Sequence, residues 1–144
     1  MAAYNKFQDF SEQLIRGVHD WDAHVFKVAL TNTLPLATQV SFDTGVSPAP
    51  GAGSGYSAGG SATTISIAET NGTTTVQGTQ IVFTAAGGAI GPFRYAILYN
   101  DSATAPAKGV IAWFDYGSSI TLADTESLTV QFNSSNPGTI FTLV

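Results

Sequence analysis

A mainly β fold, an antiparallel β-sandwich of jelly-roll-like type with one short N-terminal α-helix, is what this 144-residue sequence predicts, and three observations predict it. Short runs rich in Thr, Val, Ile and aromatic residues recur from residue 64 to the C-terminus, with Gly, Pro, Asn or Asp between them, as expected of consecutive antiparallel strands. Helical spacing of apolar residues occurs only near the N-terminus. The length suits a single domain, 1–144, able to bury roughly two thirds of its unfolded surface in one core.

In chain order, Phe7, Phe10 and Leu14 recur at i, i+3 and i+7, which predicts a helix over residues 5–17 with Asn5 as cap and Gly17 as stop. Three turns are marginal in water, so this apolar stripe must pack on the body of the subunit or on a neighbour. Residues 25–30 then read as a strand covered on both sides, ended by Pro35. Residues 44–63 carry many glycines and few apolar groups, and are expected to form a long arm with Tyr56 as its one large anchor. Strands are expected at 64–69, 73–77, 79–84, 93–99, 109–116, 118–122, 126–133 and 139–143. The strongest hairpin signal is Asn71-Gly72, because a type I′ turn requires positive φ at both central residues. Within 93–99, alternation puts Phe93, Tyr95, Ile97 and Tyr99 on one side and Arg94, Ala96, Leu98 and Asn100 on the other, as in a strand with both faces covered.

Charged residues make up 10% of the chain against about 25% in typical soluble domains. A surface with so few charges is expected to be covered in part by other subunits, with self-association, a trimer favoured, as the consequence. The net charge is -5, and the five basic residues, Lys6, Arg16, Lys27, Arg94 and Lys108, are scattered, which argues against nucleic acid as a partner. No cysteine is present, so neither disulfides nor thiolate metal sites are available. No apolar run approaches the length of a membrane helix, and the first ten residues mix charges and amides where a signal peptide needs apolar ones, so no membrane partner is expected. Asn71, Asn100 and Asn133 begin Asn-x-Ser/Thr triplets, which are expected by accident in so Ser/Thr-rich a chain.

A search for chemistry finds little. The glycines of 51–60 lack the Lys-Ser/Thr pair of a phosphate loop, and Gly53-Ser-Gly-Tyr lacks the full nucleophile-elbow pattern. His19, Asp20, Asp22 and His24 put four possible ligands in six residues, but without the i, i+4 His spacing of helical zinc sites, and a solvated turn is the expected reading. Arg94 and Asp115 sit inside apolar strand patterns, where burial would be costly unless they pair, so a structural ion pair is expected. No catalytic, cofactor or metal residues are assigned, and the chain is not expected to be an enzyme. Trp21 and Trp113, with the tyrosines, leave open a carbohydrate-stacking surface.

The segments YNKFQDFSEQLIRGVHDWD, FKVALTNTLP, GSGYSAGG, GGAIGPFRYAILYND and WFDYGSSITLADTESLTVQF, in this order and spacing, resemble a family of small structural proteins of tailed bacteriophages. The resemblance spans nearly the whole chain and implies a virion component, above all a head decoration (cement) protein contacting the major capsid protein, with tail or fibre roles as alternatives. It implies no catalytic residue. Phe7, Phe10, Leu14 and Tyr56 are the expected assembly contacts, since neither helix nor arm has an obvious place in the sandwich.

Overall fold

The computed structural model describes residues 2–42 and 54–144. Ten strands and one helix follow in the order β1 (Ala3–Lys6), α1 (Phe10–Ile15), β2 (Phe26–Thr31), β3 (Ser61–Thr63), β4 (Ile65–Thr70), β5 (Thr73–Gly78), β6 (Ile81–Thr84), β7 (Ile90–Asn100), β8 (Val110–Leu122), β9 (Ser127–Val130) and β10 (Gly138–Leu143). They form a five-stranded sheet of order β1-β8-β7-β2-β3, a three-stranded sheet β10-β5-β4 and the pair β6-β9. Every pairing is antiparallel. The fold is mainly β with one short helix, layered in the manner of a sandwich.

The main core lies on one face of the five-stranded sheet. Phe26, Val28 and Leu30 of β2, Ala96 and Leu98 of β7, and Phe114 of β8 meet Val76 of β5, Phe83 of β6 and Ile140 of β10 there. The alternate residues face the other way. Ala29, Ile97, Tyr99 and Val110 pack with Phe7 and Phe42 into a second cluster, so the central strands are covered on both faces. Period-2 alternation therefore holds for residues 95–99, but Phe93 joins the main core together with Ala96 and Leu98. The change coincides with an irregularity in the β7–β8 pairing: Phe93 opposes Ile120 and Tyr95 opposes Asp115, so the extra residues of β8 interrupt the ladder there.

At the N-terminus the expected helix over 5–17 is shorter. Asn5 lies in β1, where it opposes Trp113, and Asp9 rather than Asn5 stands at the start of the six-residue helix. Gly17 follows the helix with φ +71 and ends it as expected. Residues 3–6 form a strand because β8 offers an edge to pair with, and tertiary pairing outweighs helical propensity in so short a segment.

Of the expected arm at 44–63, residues 44–53 lie outside the described residues. The rest is tied down. Tyr56 is buried, and its Oη accepts a hydrogen bond from the Leu30 N–H at 2.9 Å. Gly60, at φ +80, lies so close to β2 that a Cβ would sit 1.8 Å from the Val28 carbonyl oxygen. Glycine is thus what lets the chain run alongside β2 and continue into β3.

Asn71 and Gly72 have φ values of 52 and 80, the type I′ geometry, and close the β4–β5 hairpin. The expected break near Gly117 survives as an interruption of the β7–β8 ladder between Asp115 and Ile120, not as the end of a strand. β8 runs on to Leu122 as one strand, with Gly117 at φ +100 inside it and its N–H donating to the Asp115 carboxylate at 2.8 Å. Conversely, the expected strand at 126–133 stops at Val130, and Asn133 and Ser134, both with positive φ, form a tight turn closed by a bridge between Phe132 and Ser135.

Candidate functional site

Three of the four expected assembly contacts are internal. Phe7 is fully buried and lies against Trp113 at a ring separation of 4.6 Å. Phe10 contacts His19 and Phe141, Tyr56 contacts Phe83, and Leu14 is half-buried against the main core. The correction has a simple physical cause. Both segments find this chain's own sheet within reach, and burying a phenyl ring there gains on the order of 2–3 kcal/mol over leaving it in water. Trp21 likewise stacks on Phe26, with centroids 4.5 Å apart and planes nearly parallel, so neither tryptophan forms a free stacking platform.

Arg94 and Asp115 do meet. The guanidinium donates from Nε to Oδ1 at 2.8 Å and from Nη2 to Oδ2 at 2.9 Å, a bidentate fork, while its plane also lies 5.2 Å from the centroid of Tyr95. The hydrogen bonds from Arg94 and from the Gly117 N–H hold the Asp115 carboxyl below its usual value. The pair is at the surface, with side chains 38% and 28% exposed, and not in the apolar interior that the flanking residues suggested. The register shift beside Tyr95 and the glycine at 117 turn both side chains toward solvent.

Arg94 of that ion pair lines a cleft of about 800 Å³, within the range of small-ligand and peptide sites. Phe93, Ala96, Phe114 and Ile140 line it, with Tyr4 of β1 and Tyr116 of β8 at its mouth. Ala3 opposes Asp115 and Tyr4 opposes Phe114 in the β1–β8 register, which sets Tyr4, Phe114 and Tyr116 on one face. Tyr4 and Tyr116 are 43% and 54% exposed. Gln131, whose side-chain amide donates to Gln80 Oε1 at 2.9 Å, and Asn133 also line the cleft. The cleft follows the outer strand of the five-stranded sheet, where among the described residues β1 pairs with β8 alone. A second exposed apolar group, Leu34, Leu36 and Val40, follows β2.

The His19–His24 segment holds no metal cluster: among the described residues no group of three or more His, Cys, Asp or Glu is arranged to bind one. The segment is not simply a solvated turn either. Asp20 does shape a turn, its carboxylate accepting from the N–H groups of Asp22 and Ala23. His19, however, is buried, and its Nδ1 lies 3.1 Å from the side-chain amide of the fully buried Asn100, which also reaches His24 Nδ1 at 2.9 Å. Burial, reinforced by the nearby His24, lowers the His19 pKa to about 4. Sequence reasoning missed Asn100 and Gln13 as polar core residues. The one signal for Asn100 was its place beside Asp101 at the end of an apolar strand, and its burial removes the triplet it begins from consideration as a glycosylation acceptor.

No protein-family model, no curated protein and no solved structure matches this chain.

Proposed function

We propose that this chain is a non-enzymatic structural subunit of a tailed-phage virion, attached to the assembled head as a decoration protein. The observation that carries the reading is the aromatic cleft along edge strand β1, with Tyr4 and Tyr116 exposed at its mouth on a chain in which only 10% of residues are charged. An unpaired strand edge beside exposed aromatic surface favours contact with another polypeptide. The sequence resemblance to phage structural proteins points to the same class. Attachment through the cleft and the exposed Leu34 and Leu36 replaces attachment through Phe7, Phe10 and Tyr56, which are committed to the core. A decoration protein acts by mass action: binding the assembled shell and not its free subunits favours the shell at every site. Many repeated sites let modest single-site affinity suffice.

The test is co-sedimentation with undecorated phage heads. Replacing Tyr116 by Ser together with Leu34 and Leu36 by Ser should lower bound protein about tenfold, a loss of roughly 1.4 kcal/mol per site, at an unchanged melting temperature. Undiminished binding by that variant would remove the cleft and the two leucines from the attachment surface. Wild-type protein that binds tail tubes and not heads would move the assignment to the tail or fibre. A glycan-binding reading is favoured by one feature, the juxtaposition of Tyr4 and Tyr116 with Arg94, Gln131 and Asn133 around the same cleft. A host-surface glycan array separates it from head attachment.

A further inference from the structure

We propose that the His19–Asn100–His24 cluster is an acid-released latch that holds the connector between α1 and β2, residues 16–25, against the end of β7. This goes beyond the decoration reading and does not depend on it. The Asn100 carboxamide has a defined orientation, because its Oδ1 accepts from the backbone N–H groups of Ser102 at 3.0 Å and Ala103 at 3.1 Å. Its Nδ2 therefore carries the two hydrogens that point to His19 Nδ1 and His24 Nδ1. A primary amide nitrogen is only a donor, so both imidazole Nδ1 atoms must be acceptors, and both rings must be neutral with the proton on Nε2. For His24 a second donor agrees: the Asp20 N–H also points at Nδ1, at 3.3 Å.

Protonating the His19 ring at Nδ1 sets an imidazolium N–H against the Asn100 amide N–H and breaks the bond. The surroundings offer little to rescue the charge. His19 Nε2 and the nearby Gln13 Oε1 are buried without hydrogen-bond partners, while Gln13 Nε2 is engaged by Asp9 Oδ2 and the Val40 carbonyl. A Cβ on Gly109 would lie 2.2 Å from Gln13 Oε1 and 3.2 Å from His19 Cε1, so the backbone closes over that side. Phe26 of β2 presents an apolar ring to His19, as does Phe10 of α1. The charged groups around the cluster are Asp101 beside Asn100, bound by Lys27 of β2 and Lys108, with Asp9 just before α1 and Asp20 and Asp22 on the connector. Among the described residues no carboxylate is hydrogen-bonded to either ring.

The lowered pKa of His19 agrees with this geometry and gives the sign. Above the ordinary value of 6.5 the ring is neutral both folded and unfolded, and the latch is intact. Between 6.5 and about 4 the unfolded or released connector takes up a proton that the closed one refuses, so acid drives release. Release would lift Trp21 from Phe26 and Phe141 and bare that apolar surface.

Imidazole 15N spectra of the native protein near neutral pH test the first step: both histidines should show a protonated Nε2 and an unprotonated, hydrogen-bonded Nδ1. Hydrogen exchange tests the second. Protection factors of amides 18–25 should fall by about tenfold or more on going to roughly pH 4, while those of β7 and β8 change far less. Asn100→Asp keeps the acceptor for Ser102 and Ala103 but turns the donor into a carboxylate, which favours charged imidazoles; loss of connector protection on acidification should then vanish or reverse. Either histidine protonated at Nδ1 near neutral pH, or a connector in the native protein as protected in acid as at neutral pH, overturns the proposal, and neither reading depends on whether the variant folds.

Discussion

At the scale of single residues, environment and not sequence neighbours sets what a charge is worth. Arg94 and Asp115 each sit between aromatic residues, the pattern that marks a costly buried ion pair, yet a strand irregularity and a glycine deliver both to the surface. Exposed pairs contribute little, because water screens the attraction and holding two side chains in one geometry costs entropy. Asp115 also keeps the Gly117 N–H when its partner is removed. Arg94→Ala should therefore melt close to wild type at neutral pH, and the small difference should shrink further in high salt. Its sign with pH follows from the depressed Asp115 carboxyl. The contribution is present above the ordinary carboxyl value of 3.8 and is lost as pH falls through the lower folded value. Thermal melts of both proteins as a function of salt and pH check this; a large loss of stability at neutral pH would place the pair in the interior after all.

Among the elements, the N-terminal segment changes most between expectation and structure. It supplies an edge strand paired to β8 over four residues, and two phenyl rings, Phe7 and Phe10, in separate clusters. Loss of a buried phenyl side chain costs about 3–5 kcal/mol, and a whole domain is stable by only about 5–15. Deleting residues 1–16 should consequently abolish cooperative folding, where the sequence suggested a detachable contact. Far-UV circular dichroism with urea titration decides, and a truncated chain with a wild-type midpoint would contradict the packing described. The helix could be recognised from Phe7, Phe10 and Leu14, but its first turn could not. Nothing local in Tyr4-Asn5-Lys6 says that β8, more than a hundred residues away, will offer it an edge.

For the whole molecule, few charges and several exposed apolar side chains, among them Tyr4, Leu34, Leu36, Ile67, Val82 and Tyr116, leave a surface that association would cover. The β4–β5 hairpin adds another open edge, since among the described residues β4 pairs with β5 alone and residues 66–70 are exposed. Self-association should follow, with a trimer favoured, and light scattering across a concentration series should give a mass above that of the single 14.9 kDa chain. A monomer that stays soluble at high concentration would remove the oligomer from the functional proposal while leaving the attachment cleft to be tested separately.

What the sequence alone determined is whatever short-range patterning controls: the β class, the strand runs, the Asn71-Gly72 turn, the helix stop at Gly17, and the covering of both faces of the 95–99 segment. These follow from side-chain alternation and from φ values that only certain residues tolerate. Tertiary structure decided the rest. An irregularity in the β7–β8 ladder set Phe93 on the other face; a neighbouring strand drew Tyr56 and Gly60 out of the expected arm; β8 continued beyond Gly117 and paired with β7 again at Ile120. It also brought Asn100 onto two histidines about eighty positions earlier in the chain. Alternation records which residues are apolar but not how many residues a bulge inserts, and a polar side chain carries no mark of the distant partner that will satisfy it.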